Sequence, residues 1–264
     1  MSRTSGQLIV PNVLWAPIYE VVHDILGSTG TIIPIGDTND ENSGRTVVTT
    51  RGEVQVNFTY SEAITSFDTP PSFVGPGSIP RVEFNGTDEE ADTPDIIYFT
   101  PAAAAFSLGC WVNLVDATGS VLLSKRSSST VREWLFWSNS QDQPELILYD
   151  ESTNATLARD DATTLTQNVW SFLVATHDGG TTAANINIYL TGVQVADTDN
   201  SSGAFTAVED LAVPVRLGFT NTIPNSLFDG SMAGGPLGPF FTQIELTVDQ
   251  VLRLYQLGRA ALGV

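Results

Sequence analysis

The chain has 264 residues, of which 42% are hydrophobic and 16% are charged, so it has enough apolar material for a core and is not a disordered polyelectrolyte. Acidic residues outnumber basic residues by 30 to 11, which gives a net charge of -19. This balance excludes nucleic acid as a partner, because a polyanion would be repelled.

Residues 1–30 do not show the alternation of a strand. The start lacks the charged and apolar regions of a secretory signal, and no apolar run in the chain approaches the roughly 20 residues that span a bilayer. We therefore expect neither a secretory signal nor membrane insertion.

We predict that residues 1–30 form an arm that either docks on a partner or adds an edge strand to the chain's own sheet. The predicted partner-binding residues of this arm are Leu8, Ile9, Val10, Val13, Leu14 and Trp15.

Two helices are predicted, one near each end of the chain. The first runs from Pro17 to Leu26, with the proline at its first position and Gly27 after its end. The second runs from Val248 to Leu257, with Thr247 as its N-cap and Gly258 as its stop.

Between these helices, short runs of strand-forming residues are separated by polar turns, a pattern typical of an antiparallel sandwich. Ile186, Ile188 and Leu190 alternate with polar residues, which indicates a strand with one buried face. The predicted strands are 46–50, 53–60, 81–84, 106–115, 119–125, 133–137, 145–149, 169–177, 185–190, 193–196 and 215–219.

Two stretches combine strand-like runs with Gly-containing turns. The first is Val82-Glu-Phe-Asn-Gly-Thr-Asp-Glu-Glu-Ala-Asp92, followed by the strand Phe106-Ser-Leu-Gly-Cys-Trp-Val112. The second is Trp170-Ser-Phe-Leu-Val-Ala-Thr-His-Asp-Gly-Gly180, followed by the hairpin Ile188-Tyr-Leu-Thr-Gly-Val193. Both stretches resemble the laminin-G-like, concanavalin-A-like jelly-roll family, and the resemblance covers roughly residues 80–258.

The resemblance implies an all-β fold, a two-sheet antiparallel jelly-roll sandwich with a short C-terminal helix. We accordingly expect two parts, an N-terminal arm of residues 1–30 and a concanavalin-A-like sandwich domain of residues 31–264. Cys110 lies in an apolar run and is predicted to be buried in this sandwich.

The family includes lectins, glucanases and adhesive modules, so the fold alone does not decide the activity. Its glucanases carry a Glu-x-Asp-x-x-Glu strand that points carboxylates into a sugar cleft. The nearest match here, Glu90-Ala-Asp92-Thr-Pro-Asp95, ends in Asp and is interrupted by Pro94. We interpret it as a solvated acidic loop, assign no catalytic residue and predict that the chain is not an enzyme.

No cofactor is assigned with certainty, although calcium is compatible with sandwich loops that offer carboxylate and carbonyl oxygens. The only histidines, His23 and His177, are far apart, which argues against zinc, and His177 is interpreted as a surface turn residue. The candidate calcium ligands are the acidic loop residues Asp88, Asp92, Asp150, Asp178 and Asp229.

The tryptophans are candidates for stacking on sugar rings, although most tryptophans in a sandwich belong to the core. Trp134 and Trp137 are three residues apart and so point to opposite faces of a regular strand, which predicts that one of them can be exposed.

The sequence therefore predicts a non-catalytic surface-binding or structural module, and a viral (phage) capsid decoration protein is one form it could take. A carbohydrate-binding lectin is the alternative, and a glycoside hydrolase is the third hypothesis. The expected partners are a protein, the chain's own oligomer or a capsid shell, or glycans. The expected location is the virion surface or the extracellular space without a secretory signal, and otherwise solution.

Overall fold

The computed structural model describes residues 12–36, 47–60, 79–195, 197–220 and 227–264. Within these residues the chain forms two antiparallel sheets of nine strands each, packed face to face. This architecture confirms the predicted all-β jelly-roll sandwich.

Strands are numbered along the chain. Sheet A contains β1 (Gly30–Ile32), β3 (Arg51–Gly52), β5 (Arg81–Asn85), β7 (Phe106–Asp116), β12 (Trp170–His177), β13 (Ile186–Leu190), β14 (Val193–Gln194), β17 (Asp229–Ala233) and β18 (Phe240–Thr242). Sheet B contains β2 (Val47–Thr49), β4 (Asn57–Tyr60), β6 (Ala91–Asp92), β8 (Val121–Arg126), β9 (Arg132–Ser138), β10 (Pro144–Asp150), β11 (Ala155–Asp161), β15 (Asp197–Asp199) and β16 (Val215–Leu217). The helices are α1 (Asn12–Leu26) and α2 (Val248–Leu262), and short 3-10 turns lie at Ile97–Phe99, Ala183–Asn185 and Gly235–Leu237.

The core between the sheets is built on β7, which pairs with β12, β17 and β18. Its residues Leu108, Cys110 and Val112 face this core and are fully buried. An aromatic contact links the two sheets, because the ring of Phe241 in sheet A lies 6.2 Å from that of Trp134 in sheet B. Cys110 therefore serves as a packing residue, as the sequence predicted.

The outside of sheet A is covered by both helices. Val22, Ile25 and Leu26 of α1 join Val251 and Leu254 of α2 in a second apolar cluster on that face. Burial of large apolar side chains contributes roughly 1.5–3 kcal/mol each, so this cluster fixes both helices to the sandwich. Of the described helices, none has the length and apolar character needed to cross a lipid bilayer.

Helix α2 continues past the glycine that was predicted to stop it. It ends at Leu262, where Gly263 adopts the left-handed conformation (φ 74°) and donates its N–H to the carbonyl of Arg259. Gly258 instead allows close packing, because a Cβ atom there would lie 2.2 Å from Nε1 of the buried Trp111. The prediction that Gly258 ends the helix is therefore wrong, because the missing side chain serves helix-to-sheet contact and not chain reversal.

Part of the predicted arm is packed against the sandwich. Helix α1 begins at Asn12, so Pro17 lies inside it and not at its start, and the proposed boundary after residue 30 falls within β1. Leu8, Ile9 and Val10 lie outside the described residues. For Val13, Leu14 and Trp15 the structure describes the helical backbone but not the side chains.

The predicted strands agree with the structure in position. Strands β1, β3, β6, β11, β15 and β18 lie outside them. Strand β11 contains Ala-Thr-Leu-Ala-Arg-Asp-Asp, whose charged and small residues do not show the composition of a strand. Its pairing with β10 over six residues overrides that local preference.

Candidate ligand-binding face

One side of β8, β9, β10 and β11 points away from the core, and we call it the outer face of sheet B. Along β9, Trp134 and Phe136 enter the core, whereas Leu135 and Trp137 lie on the outer face. Trp134 is fully buried and Trp137 is partly exposed, so the predicted division between these two tryptophans is confirmed. Both described helices lie on the opposite sheet.

At one end of the outer face, two acidic side chains lie side by side. The backbone register places Trp137 opposite Glu145 and Glu145 opposite Asp160 across β9, β10 and β11. Each acidic residue is only 7% exposed. We call Glu145 and Asp160 the carboxylate pair.

The carboxylate pair is held by neutral donors. Trp137 Nε1 donates to Glu145 Oε2 at 2.7 Å and Asn200 Nδ2 donates to Glu145 Oε1 at 3.4 Å, whereas Asn139 Nδ2 donates to Asp160 Oδ2 at 3.2 Å. Asp160 Oδ1 is buried and accepts no hydrogen bond from the described residues. Burial raises the pKa of Glu145, and repulsion from Asp160 raises it further. The pair is therefore a buried acceptor site without a compensating cation among the described side chains.

The middle of the outer face is apolar. Val121, Leu135 and Tyr149 are buried there, and the partly buried Trp137 and Ile147 pack against them. This strip connects the carboxylate pair to a second charged group further along the strands. An apolar floor with polar groups at its ends is the usual composition of a ligand site.

The second charged group consists of Arg126 and Arg132 at Tyr149, with Arg216 beside Arg126, and we call it the arginine cluster. The guanidinium carbons of Arg132 and Arg126 lie 4.4 and 5.4 Å from the centre of the Tyr149 ring, and Arg126 Nη1 donates to the Tyr149 hydroxyl at 3.0 Å. Arg216 Nη1 donates to the carbonyl of Arg126 at 2.8 Å. Burial lowers the pKa of Arg126, because a charged guanidinium loses hydration there.

A separate acidic group lies where sheet B meets the loop before β7. Asp95, Glu133 and Asp210 bring carboxylate oxygens within 4.8 Å of one another. The cation in this group is Lys125, the only lysine in the sequence, which is fully buried. Its ammonium contacts the buried Glu133 and lies 2.8 Å from Oδ1 of the exposed Asp95, so this group is an ion-pair network around a buried lysine.

The predicted calcium residues do not form a common site. Asp150 accepts hydrogen bonds from Thr153 and Thr206, and Asp178 accepts them from Gly180 and Asn185. Asp88, Asp92 and Asp229 lie at other positions, and the described residues place no three of the five together.

Two interpretations of single motifs are wrong. Ala91 and Asp92 of the glucanase-like motif form β6 between β4 and β16, and Ala91 is fully buried, so the motif is not a solvated loop. His177 is 1% exposed, with its Nε2 2.9 Å from the carbonyl of Gly180, so it is not a surface turn residue. Burial lowers the pKa of His177 and favours its neutral form.

A further cavity of about 470 Å³ lies beside α1, bounded by β1 and β3. Arg51 closes one side, with its guanidinium carbon 4.5 Å from the centre of the Tyr19 ring. The cavity lining includes three side chains that can exchange protons, Glu20, His23 and Asp24. All three lie on the exposed side of α1.

A sequence profile of the concanavalin A-like lectin/glucanases superfamily matches residues 85–234, more than half of the chain. The chain therefore belongs to this superfamily. No curated protein matches it by sequence.

Solved structures with the same fold include receptor-binding parts of toxins. The binding domain of botulinum neurotoxin serotype C1 has a TM-score of 0.58 at 11% identity, over 88% of this chain and 53% of that one. The binding domain of Paraclostridial Mosquitocidal Protein 1 has a TM-score of 0.56 at 10% identity, over 86% and 51%. The binding domain of botulinum neurotoxin DC in complex with rat synaptotagmin II has a TM-score of 0.56 at 14% identity, over 79% and 48%. The chain thus spans about half the length of these domains, and the likeness shows the fold.

Replacing Lys125 with Met should destabilise the protein by about 3–5 kcal/mol at neutral pH, because it leaves the carboxylate of Glu133 buried without its cation. Burial already raises the pKa of Glu133, and a carboxyl with a raised folded-state pKa loses stability as the pH rises through that value. The deficit should therefore shrink in mildly acidic buffer, where Glu133 takes up a proton. Urea unfolding of both proteins at the two pH values measures this, and a deficit that is absent or independent of pH would contradict the ion-pair interpretation.

Proposed function

We propose that the chain is a non-catalytic surface-binding module that recognises a carbohydrate polymer with the outer face of sheet B. The partly exposed Trp137 carries the proposal. An aromatic ring on an open sheet face can stack on the apolar side of a sugar ring, while nearby carboxylate and amide groups bind its hydroxyls. The exposed Asn200 supplies such a group beside Trp137, since both donate to Glu145.

Two further observations support binding over hydrolysis. Both oxygens of Glu145 and one oxygen of Asp160 already accept hydrogen bonds from side chains. The carboxylates of the glucanase-like motif at Glu90 have different partners and do not act together. Asp95 contacts Lys125, whereas Glu90 lies 3.9 Å from Arg216. The toxin domains with the same fold are described as binding domains, which agrees with a binding role.

We further propose that the module lies on a virion surface. Helix α1 lies on the outside of sheet A, and the outer face belongs to the opposite sheet. A segment preceding α1 could therefore attach the module to a particle, such as a phage capsid, without obstructing the ligand. The acidic surface of a chain with a net charge of -19 would keep decorated particles apart.

Replacing Trp137 with Ala should abolish carbohydrate binding, because the loss of the stacking ring removes the main apolar contact. The variant should stay folded but lose about 1–3 kcal/mol of stability, because Glu145 loses a hydrogen-bond donor. Trp170 is the matched control, since it is also partly buried but packs on the helix side of sheet A. A glycan array followed by calorimetry would measure binding, with thermal melting as the folding check. Equal losses in both variants, or no saccharide bound by the parent chain, would contradict the proposal, as would release of reducing sugar.

Removing residues 1–11 should leave the sandwich folded but abolish self-association or attachment to the particle. The apolar residues Leu8, Ile9 and Val10 are lost, whereas α1 and its buried contacts with sheet A are retained. Sedimentation velocity at increasing concentration, with circular dichroism as the folding check, compares the two forms. Identical association of the full and shortened chains would contradict a docking role for this segment.

A further inference from the structure

The arginine cluster is unusual in this chain. Only 11 of 264 residues are Lys or Arg, yet Arg126 and Arg132 lie against one tyrosine on the outer face, and Arg216 contacts the Arg126 carbonyl. Arg126 and Arg132 are directly opposite each other across β8 and β9. Like charges in such a pair destabilise a sheet, so local folding does not account for the arrangement.

The charge of Arg126 is not balanced by a direct carboxylate contact within the described part of the chain. Arg132 Nε contacts Glu151, and Arg216 Nε lies 3.9 Å from Glu90. Arg216 is also paired with Asp92 in the sheet register. The guanidinium of Arg126 contacts the hydroxyl and the ring of Tyr149. The residue is only 9% exposed, and its Nε is buried without an acceptor among the described residues.

A buried guanidinium without a counter-ion is costly, and an anion that binds beside it offsets part of that cost. Arginine also matches a carboxylate well, since its planar fork can donate two parallel hydrogen bonds. We propose that the arginine cluster binds the carboxylate of an acidic sugar, so that the ligand of the outer face is a polymer containing uronic acid or a similar sugar acid. This inference rests on the proposed carbohydrate function and names its substrate class.

The spacing of the two polar groups agrees with a chain-like ligand. Glu145 and Tyr149 are four residues apart on β10, which corresponds to about 13 Å along an extended strand. The apolar strip with Leu135 and Ile147 lies between them. A saccharide of a few units could therefore stack on Trp137 and place an acidic group at Arg126.

The test uses oligogalacturonate and its methyl ester, which have the same sugar backbone and differ in charge. The protein should bind oligogalacturonate and bind the ester at least about tenfold more weakly, as expected when a charge-assisted hydrogen bond is lost. Arg126→Gln and Arg132→Gln should remove this preference. Arg253→Gln, at an exposed position on α2, is the control and should retain it. Calorimetry gives the affinities, and thermal melting shows whether each variant is folded.

The outcomes separate this inference from the proposed function. Equal binding of the acid and the ester, or binding of neutral saccharides alone, would overturn the role of the arginine cluster and leave carbohydrate recognition intact. Binding of neither galacturonate probe would overturn the inference as well. A preference for the acid that survives both arginine substitutions would place the anion elsewhere and would also contradict it.

Discussion

The structure depends on strand β7, which must be buried on both sides. Leu108, Cys110 and Val112 require sheet B on one side, whereas Trp111 requires the helices on the other. Gly258 lets α2 approach the indole ring, and this contact makes the outside of sheet A a closed layer. Helices α1 and α2 therefore pack on sheet A, and neither of them covers the outer face of sheet B.

The outer face combines features that folding alone does not favour. Within the described ranges, a pair of buried carboxylates lies at one end without a neighbouring cation, and the opposed Arg126 lies at the other end without a carboxylate contact. By contrast, Lys125 and Glu133 in the adjacent network form a satisfied ion pair with Thr100 and Leu211 as additional donors. The chain can thus neutralise buried charge where structure requires it, which makes the unbalanced groups candidates for ligand contacts.

The sequence was sufficient for the fold class, most strands, the buried Cys110 and the different environments of Trp134 and Trp137, because these follow from two-residue alternation. The carboxylate pair was missed for a physical reason. Glu145 and Asp160 are 15 positions apart and meet only through the register of β10 and β11, and β11 itself lacks strand-like composition. The arginine cluster was also missed, because Arg126 and Arg132 lie opposite each other only through a register shift between β8 and β9. Gly258 was misread because a helix-packing glycine and a helix-ending glycine look alike in sequence.

Amide hydrogen exchange of the chain with and without a bound acidic oligosaccharide shows whether the ligand lies on the outer face of sheet B. We expect protection concentrated in β8, β9, β10 and β11, with exchange in α1 and α2 unchanged. Protection centred on the helices or on the cavity beside α1, with exchange in β9 and β10 unaltered, would contradict it.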